Sequence, residues 1–228
     1  MRTGKPITIL IAEDHSIVRQ GLCSLFSADA RLHVVARAKN GREAVRMALD
    51  TKPDVILMDI SMPRMNGHEA GCQILAANPR AKILMLSVHT SDEYVEKMIK
   101  MGALGYLSKD EPIEVLLQAI LTVASGALFL SADVSKRLLS ERTRPKNRDG
   151  VTRAERLQMT SREREVLQLV AESMANKQIA AELAISTKTV EKHRQSVMDK
   201  LNIHDTAGLT RYAMTEGIIE IGAKLTVV

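Results

Sequence analysis

Short apolar runs alternate with amphipathic stretches through the first half of the chain. Val55-Ile56-Leu57-Met58 lies between Lys52-Pro53-Asp54 and Ser61-Met62-Pro63-Arg64-Met65-Asn66-Gly67. The run is too short for a buried helix and has turn formers on both sides, which predicts a strand buried on both faces. Such strands occur almost only in parallel sheets covered by helices. Further strands are predicted at residues 7–12, 32–38, 82–87 and 104–107. The intervening 16–27, 41–50, 67–77, 92–101 and 112–125 have helical spacing, with Val18, Leu22, Leu25 and Phe26 on one stripe and Ala44, Val45 and Ala48 on another. Pro112 stands at an opening turn, where proline is tolerated. Five strands alternating with five helices specify an α/β doubly wound (βα)5 parallel sheet.

The pattern then changes. Residues 132–139 read as a short helix, and 141–151 (Glu-Arg-Thr-Arg-Pro-Lys-Asn-Arg-Asp-Gly-Val) carry too few apolar groups to bury a core, which marks a linker. Its Arg142, Arg144, Lys146 and Arg148 read as a solvated tether within reach of a phosphate backbone. Thr160-Ser161-Arg162-Glu163 forms a capping box ahead of a helix to about 173, with Val166, Leu169 and Val170 inward. A second helix, 176–183, turns Ile179, Ala180 and Leu183 inward; Ser186 caps a third to 201, and Asp205 a fourth to about 216. The boundaries are therefore 1–127, a linker over 128–154 with a short helix, and a small all-α four-helix unit over 155–228.

The third of these helices has two faces. Val190, Val197 and Leu201 point inward, while Lys188, Glu191, Lys192 and Gln195 lie opposite, with Thr187 nearby. A helix-turn-helix seats such a helix in the DNA major groove; a plain solvated face has the same pattern. Gly208 sits inside the fourth helix, at an expected cost of about 1 kcal/mol against Ala.

At 228 residues the chain is long enough for two cores. Residues 1–135 carry 15 Lys or Arg against 15 Asp or Glu, and residues 136–228 carry 17 against 12, so the whole excess of +5 lies in the second part. That favours a polyanionic partner there, though an ordinary domain can carry as much. Cys23 and Cys72 lie in apolar helical contexts without a CxxC, which reads as buried thiols in a reducing compartment. With no signal-like start and no membrane-length apolar run, the expected location is the cytoplasm, with no membrane partner.

Taken alone, Asp59 reads equally as a site carboxylate or as the cap of the next turn. The other strand ends alter that balance: Glu13 and Asp14 follow the first strand, Ser87 closes the fourth, and Lys109 follows the fifth. In a parallel sheet these ends share one edge, where open α/β folds bind ligands. Three carboxylates ionise together cheaply only beside a cation, and an all-oxygen set of this kind suits Mg²⁺.

With these residues the first half, residues 5–127, closely resembles the CheY-like receiver domain of two-component response regulators. The resemblance implies that Asp59 takes a phosphoryl group from a histidine kinase. It implies that Glu13, Asp14, Asp59 and the Ser61 backbone carbonyl hold Mg²⁺, and that Lys109 and the Ser87 hydroxyl contact the phosphoryl oxygens. Tyr106 matches the switch aromatic, expected to swing inward once Ser87 moves. Glu13 departs from the more usual Asp of such receivers, with a side chain long enough to reach a metal directly or through water. Ser61 and His89 stand where the family tunes dephosphorylation; no role is assigned to His89.

The second half resembles the LuxR-type DNA-binding domain over about 155–220. The residues that carry this are Met159 to Leu167 (Met-Thr-Ser-Arg-Glu-Arg-Glu-Val-Leu), Asn176-Lys177-Gln178-Ile179-Ala180, and Ser186-Thr187-Lys188-Thr189-Val190-Glu191-Lys192-His193. Joined to a receiver, that is the layout of the NarL/FixJ response regulators. The resemblance implies a transcription regulator, not an enzyme, binding promoter DNA as a homodimer when phosphorylated. Glu191, Lys192 and Gln195 would meet base edges, with Thr187 and Lys188 beside them. Lys177, Thr189, His193 and Arg194 would meet phosphates, and Leu209, Tyr212 and Ala213 would lie near the dimer surface, which Gly208 would loosen. Two alternatives stay open: a phosphohydrolase of the haloacid dehalogenase type, disfavoured because Ser61 stands where that family has a second acid, and a phosphorylation-independent regulator with a degenerate receiver.

Overall fold

A computed structural model of the chain describes residues 5–88, 92–131 and 159–219. It divides into two compact units, one built on a sheet and one of short helices. The predicted short helix at 132–139 and the linker fall outside the described residues, as does His89.

The first unit alternates β1 (Ile7–Ala12), α1 (Ser16–Ser27), β2 (Leu32–Ala38), α2 (Gly41–Thr51), β3 (Val55–Asp59), α3 (Gly67–Ala77), β4 (Ile83–Ser87), α4 (Asp92–Met101), β5 (Gly105–Ser108) and α5 (Ile113–Ala124). The sheet also includes β6 (Phe129–Leu130), which pairs parallel with β5 and carries the sheet past the boundary expected at 127. The order is β2-β1-β3-β4-β5-β6, so the chain reverses its winding between β1 and β3. That reversal opens a crevice at the carboxyl ends of those two strands.

All five residues of β3 are buried, as its unbroken apolar run requires. Ile9, Ile11, Leu57 and Leu84 share one core cluster with Phe26 of α1 and Ile120 and Val123 of α5. Each such side chain contributes roughly 1.5–3 kcal/mol by leaving water. Helix starts are written locally: Asn40 Oδ1 accepts from the Glu43 amide and Asn66 Oδ1 from the Glu69 amide, each at 2.9 Å, which offsets the unsatisfied amides of α2 and α3. Val18 departs from the expected stripe and stands 40% exposed. The α1 face that meets the sheet runs through Leu22, Leu25 and Phe26 instead.

The second unit contains α6 (Ser161–Ala171), α7 (Asn176–Leu183), α8 (Thr187–Leu201) and α9 (Thr206–Thr215). The expected capping box at Thr160 and Glu163 is present. Helix α6 ends two residues earlier than expected, with Ser173 in the left-handed region at φ 65°. Val166, Leu169 and Val170 of α6 join Ile179 and Leu183 of α7, Val190, Val197 and Leu201 of α8, and Leu209 and Ala213 of α9 in one core. Among the described residues no helix is long and apolar enough to cross a membrane.

Candidate functional site

Sheet register brings the strand-end residues together. Ala12 of β1 pairs with Met58 of β3, so the next residue of each strand, Glu13 and Asp59, meet at the crevice. Lys109 is fixed from the other side, because its backbone N–H donates to the Ser87 carbonyl at 2.8 Å just past the β4–β5 pairing. Gly67 opens α3 so close beneath that a Cβ there would lie 2.1 Å from the Asp59 carbonyl oxygen. Only glycine admits that approach.

The resulting cluster is tight and buried. Lys109 Nζ stands 2.8 Å from Asp59 Oδ2 and 2.8 Å from Glu13 Oε2. The Ser61 amide donates to Asp59 Oδ1 at 3.3 Å. Asp59 is 3% exposed and Glu13 fully buried, and Ser87 and Tyr106 are buried as well. Burial pushes the Asp59 carboxyl up to about 7 and the Glu13 charge adds to this, outweighing the pull of Lys109. For Lys109, burial works against the ammonium, but the charges of Asp59 and Glu13 together hold its pKa above the usual lysine value.

One ammonium does not balance three acids. Asp14 Oδ1 and Asp59 Oδ2 are buried and accept no hydrogen bond of good geometry, although His15 and Lys109 lie at ion-pair distance. One ligand atom each from Glu13, Asp14, His15 and Asp59 falls within 4.8 Å of the others. This donor set, with buried oxygens short of partners, fits a divalent cation.

Helix α8 of the second unit has the two expected faces. Val190, Val197 and Leu201 are buried, while Thr187, Lys188, Glu191, Lys192 and Gln195 are exposed. Ser186 Oγ accepts from the Thr189 amide at 3.1 Å, capping the helix. Glu163 anchors it: Oε1 accepts from Ser196 Oγ at 2.6 Å, and Oε2 from Lys200 Nζ at 2.6 Å and from the Thr160 amide at 2.7 Å.

The sequence matches the family described as response regulator receiver domain over residues 9–121 and that described as bacterial regulatory proteins, luxR family, over residues 157–213. It is 36% identical to the transcriptional regulatory protein LnrK of Bacillus subtilis (strain 168), across 93% of this chain and 98% of that protein. It is likewise 36% identical to the oxygen regulatory protein NreC of Staphylococcus aureus (strain bovine RF122 / ET3-1), across 93% and 99%. The chain belongs to the NarL/FixJ response regulators. Two solved structures resemble it. One is a LuxR-family two-component response regulator from Aurantimonas sp. SI85-9A1, at TM-score 0.59 and 31% identity over 61% of this chain and 100% of that one. The other is the response regulator ChrA of a heme-sensing two-component system, at TM-score 0.50 and 27% identity over 94% and 99%. Members of the family are DNA-binding transcription regulators, not enzymes, which removes the phosphohydrolase alternative.

Within this regulator several residues differ from expectation. Tyr106 is already inward, 1% exposed, so in this state the ring has no inward swing left to make. Leu209 and Ala213 are 1% and 0% exposed. Their spacing of four puts both on the core stripe of α9, and of the three only Tyr212 is half-buried rather than buried. Arg194 is tied within its own unit, donating to Asn176 Oδ1 at 3.3 Å and Thr206 Oγ1 at 2.5 Å at the starts of α7 and α9. It clamps three helices of its unit together. Gly208 sits in a packed spot: its N–H donates to Asp205 Oδ1 at 2.7 Å, and a Cβ would meet Ile203 Cγ2 at 2.6 Å.

Two residues beside the acids escaped the sequence reading. His15 turns Nδ1 toward Glu13 Oε1 at 3.1 Å and Asp14 Oδ1 at 2.9 Å. Arg19, from the first turn of α1, donates through Nη1 to the carbonyls of Glu13 and Asp14, the latter at 3.1 Å, and so holds the turn that carries both acids. The immediate adjacency Glu13-Asp14-His15 was the available signal for the first; a clamp on backbone carbonyls leaves none.

Proposed function

We propose that Asp59 accepts a phosphoryl group from a histidine kinase and that this modification controls binding of promoter DNA by a homodimer through α8. The observation that carries the reading is the meeting of Asp59 with Glu13, Asp14 and Lys109 at one strand edge, 2.8 Å separating the Lys109 ammonium from the Asp59 carboxylate. Glu13, Asp14, Asp59 and the Ser61 carbonyl would hold Mg²⁺. A cation there supplies neutralising charge as phosphoryl oxygens approach a carboxylate-rich pocket.

The chain's own groups do the rest. An Asp59 oxygen forms the new P–O bond while the P–N bond of the kinase phosphohistidine breaks, its electron pair leaving with the imidazole. Lys109, poised between Asp59 and Glu13, gains a stronger partner in the phosphoryl oxygens, and the Ser87 hydroxyl donates to another. The added charge of about −1.5 to −2 and its acceptors bias a two-state loop, which is how a local modification acquires a distant readout. In the second unit, Glu191, Lys192 and Gln195 read base edges from the exposed face of α8, with Thr187 and Lys188 beside them. Lys177, Thr189, His193 and Arg194 sit against phosphates. A two-fold dimer then spans half-sites about one or two helical turns apart, and the protein works in the cytoplasm.

The test is labelling with acetyl phosphate and Mg²⁺, read by intact mass, followed by footprinting on genomic fragments at two stated salt concentrations. The wild type should gain one phosphoryl group and bind DNA more tightly, and Asp59→Asn should do neither. An Asp59→Asn protein that dimerises and binds as the phosphorylated wild type does would refute the reading.

A further inference from the structure

The acid pocket contains a nitrogen. His15 is the residue before α1, where its side chain makes no capping hydrogen bond, and the ring faces Asp14 and Glu13 instead. The two oxygens of Glu13 divide their partners: Oε2 meets Lys109 at 2.8 Å, while Oε1 meets His15 Nδ1 at 3.1 Å and accepts from the His15 backbone N–H at 3.0 Å. Nδ1 also lies 2.9 Å from Asp14 Oδ1, an oxygen with no well-formed hydrogen bond. Across the crevice Asp59, 3% exposed, turns Oδ2 into the same space, again without a well-formed hydrogen bond and with only the Lys109 ion pair beside it.

Two ligands at right angles on a metal with bonds of about 2.1 Å stand about 3 Å apart. The separations of Nδ1 from Asp14 and Glu13 match that spacing, and the four groups already converge within 4.8 Å. The Arg19 clamp on the Glu13 and Asp14 carbonyls fixes the backbone on which the ring is mounted, so little ordering remains for binding to impose. The ring is 63% exposed, which leaves it room to turn Nδ1 further inward.

A nitrogen ligand changes which ions a site prefers. Carboxylate, carbonyl and water suit Mg²⁺, whereas imidazole suits the later first-row ions, whose affinity for a given site rises along the series toward Cu²⁺. We propose that His15 Nδ1 is a fourth ligand of this pocket, and that the pocket therefore takes a late first-row divalent ion, Co²⁺, Ni²⁺ or Zn²⁺, more tightly than Mg²⁺. The inference rests on the reading of the pocket as a divalent-cation site. Its consequence is that the metal present decides how the acids are held before any phosphoryl donor arrives.

The full chain is titrated with CoCl₂ and separately with MgCl₂, with calorimetry for affinity and proton NMR for the paramagnetically shifted N–H of a cobalt-bound imidazole. The component of Co²⁺ binding that Mg²⁺ displaces should show one such shifted resonance, absent from His15→Ala. His15→Ala should weaken Co²⁺ binding by about tenfold or more, at least what loss of an outer supporting group costs a metal site, while Mg²⁺ affinity stays within about twofold. His15→Gln, which keeps a polar group at the turn, should behave as His15→Ala does. Displaceable Co²⁺ binding of unchanged affinity in both variants, or without the shifted resonance in the wild type, overturns the assignment of His15 and leaves the cation pocket standing. Failure of Mg²⁺ to bind or to displace Co²⁺ overturns the pocket reading and this inference with it.

Discussion

Glu163→Gln removes one negative charge from the DNA-binding unit and little else, because glutamine also serves at the third position of a capping box. In the wild type that carboxylate is 6% exposed, and Lys200, Ser196 and the Thr160 amide all bond to it. Burial opposes its charge, but the Lys200, Ser196 and Thr160 bonds prevail and hold its pKa at about 2 against 4.5. A tenfold change in proton affinity is worth about 1.4 kcal/mol, so the gap corresponds to about 3 kcal/mol, trimmed to about 2 because Lys200 is 34% exposed and partly screened. The folded value is depressed, so this stability is fully present above pH 4.5 and is lost as pH falls toward 2. Urea melts of the full chain at pH 7, followed by hydrogen exchange on peptides from α6 and α8, should show the variant less stable by about 2 kcal/mol in that unit alone. At pH 2.5 the difference should fall below about 1 kcal/mol. Equal stability at pH 7, or a difference that does not shrink with acid, would refute the argument that Glu163 stabilises through its charge.

Gly208→Ala should not give the usual gain of about 1 kcal/mol for a helix, because its Cβ meets Ile203 at 2.6 Å; thermal melts should show a neutral or lower Tm, and a clear rise would refute this. Gly67→Ala should cost about 3 kcal/mol or more, since its Cβ would press on the Asp59 backbone rather than on a yielding side chain; urea melts check the stability, and labelling by acetyl phosphate should fall with it. In EDTA, ionising Asp59 costs stability: its pKa is raised from 3.8 to about 7, so the folded state binds the extra proton and stability falls as pH rises through that window. Asp59→Asn should therefore be more stable than the wild type at pH 8 by on the order of 4 kcal/mol, and Mg²⁺ should narrow the gap; a variant less stable at every pH would refute this.

What was legible in the sequence was what depends on periodicity and strand ends. A buried parallel strand needs an unbroken apolar run, so β3 and β4 could be placed within a residue and the residues that close them, Asp59 and Ser87, assigned to one edge. The α6 start was legible because its capping box is local chemistry between Thr160 and Glu163. The losses occurred where a partner distant in sequence decides. Phe129–Leu130 is too short to show a period and is a strand only because β5 offers it an edge. Val18 belongs to the apolar spacing of α1, but the sheet lies under the neighbouring stripe. Position in a family places Leu209 and Ala213 near a dimer surface, and the core of four helices buries both. Gly208 read as a weakness because propensity scales assume open space around a helix, and here Ile203 occupies it.

Were Asp59 phosphorylated as proposed, the arrangement would give that one modification a large effect. An Asp59 carboxyl that holds its proton up to about pH 7 sits among groups arranged for more positive charge than the chain itself supplies. Lys109 divides its ammonium between Asp59 and Glu13, 2.8 Å from each, and so satisfies neither fully. A phosphoryl group on Asp59 offers stronger acceptors, and moving Lys109 onto them strips Glu13 of its only described ammonium partner while Glu13 stays buried. Burying an uncompensated charge costs several kcal/mol, so Lys109 cannot leave unless another cation takes its place beside Glu13. On the proposed function, cation binding and phosphoryl binding would be coupled through that one shared ammonium. The longer side chain of Glu13 matters here: Oε2 reaches Lys109 while Oε1 stays with His15, which links the ammonium that follows β5 to the turn after β1.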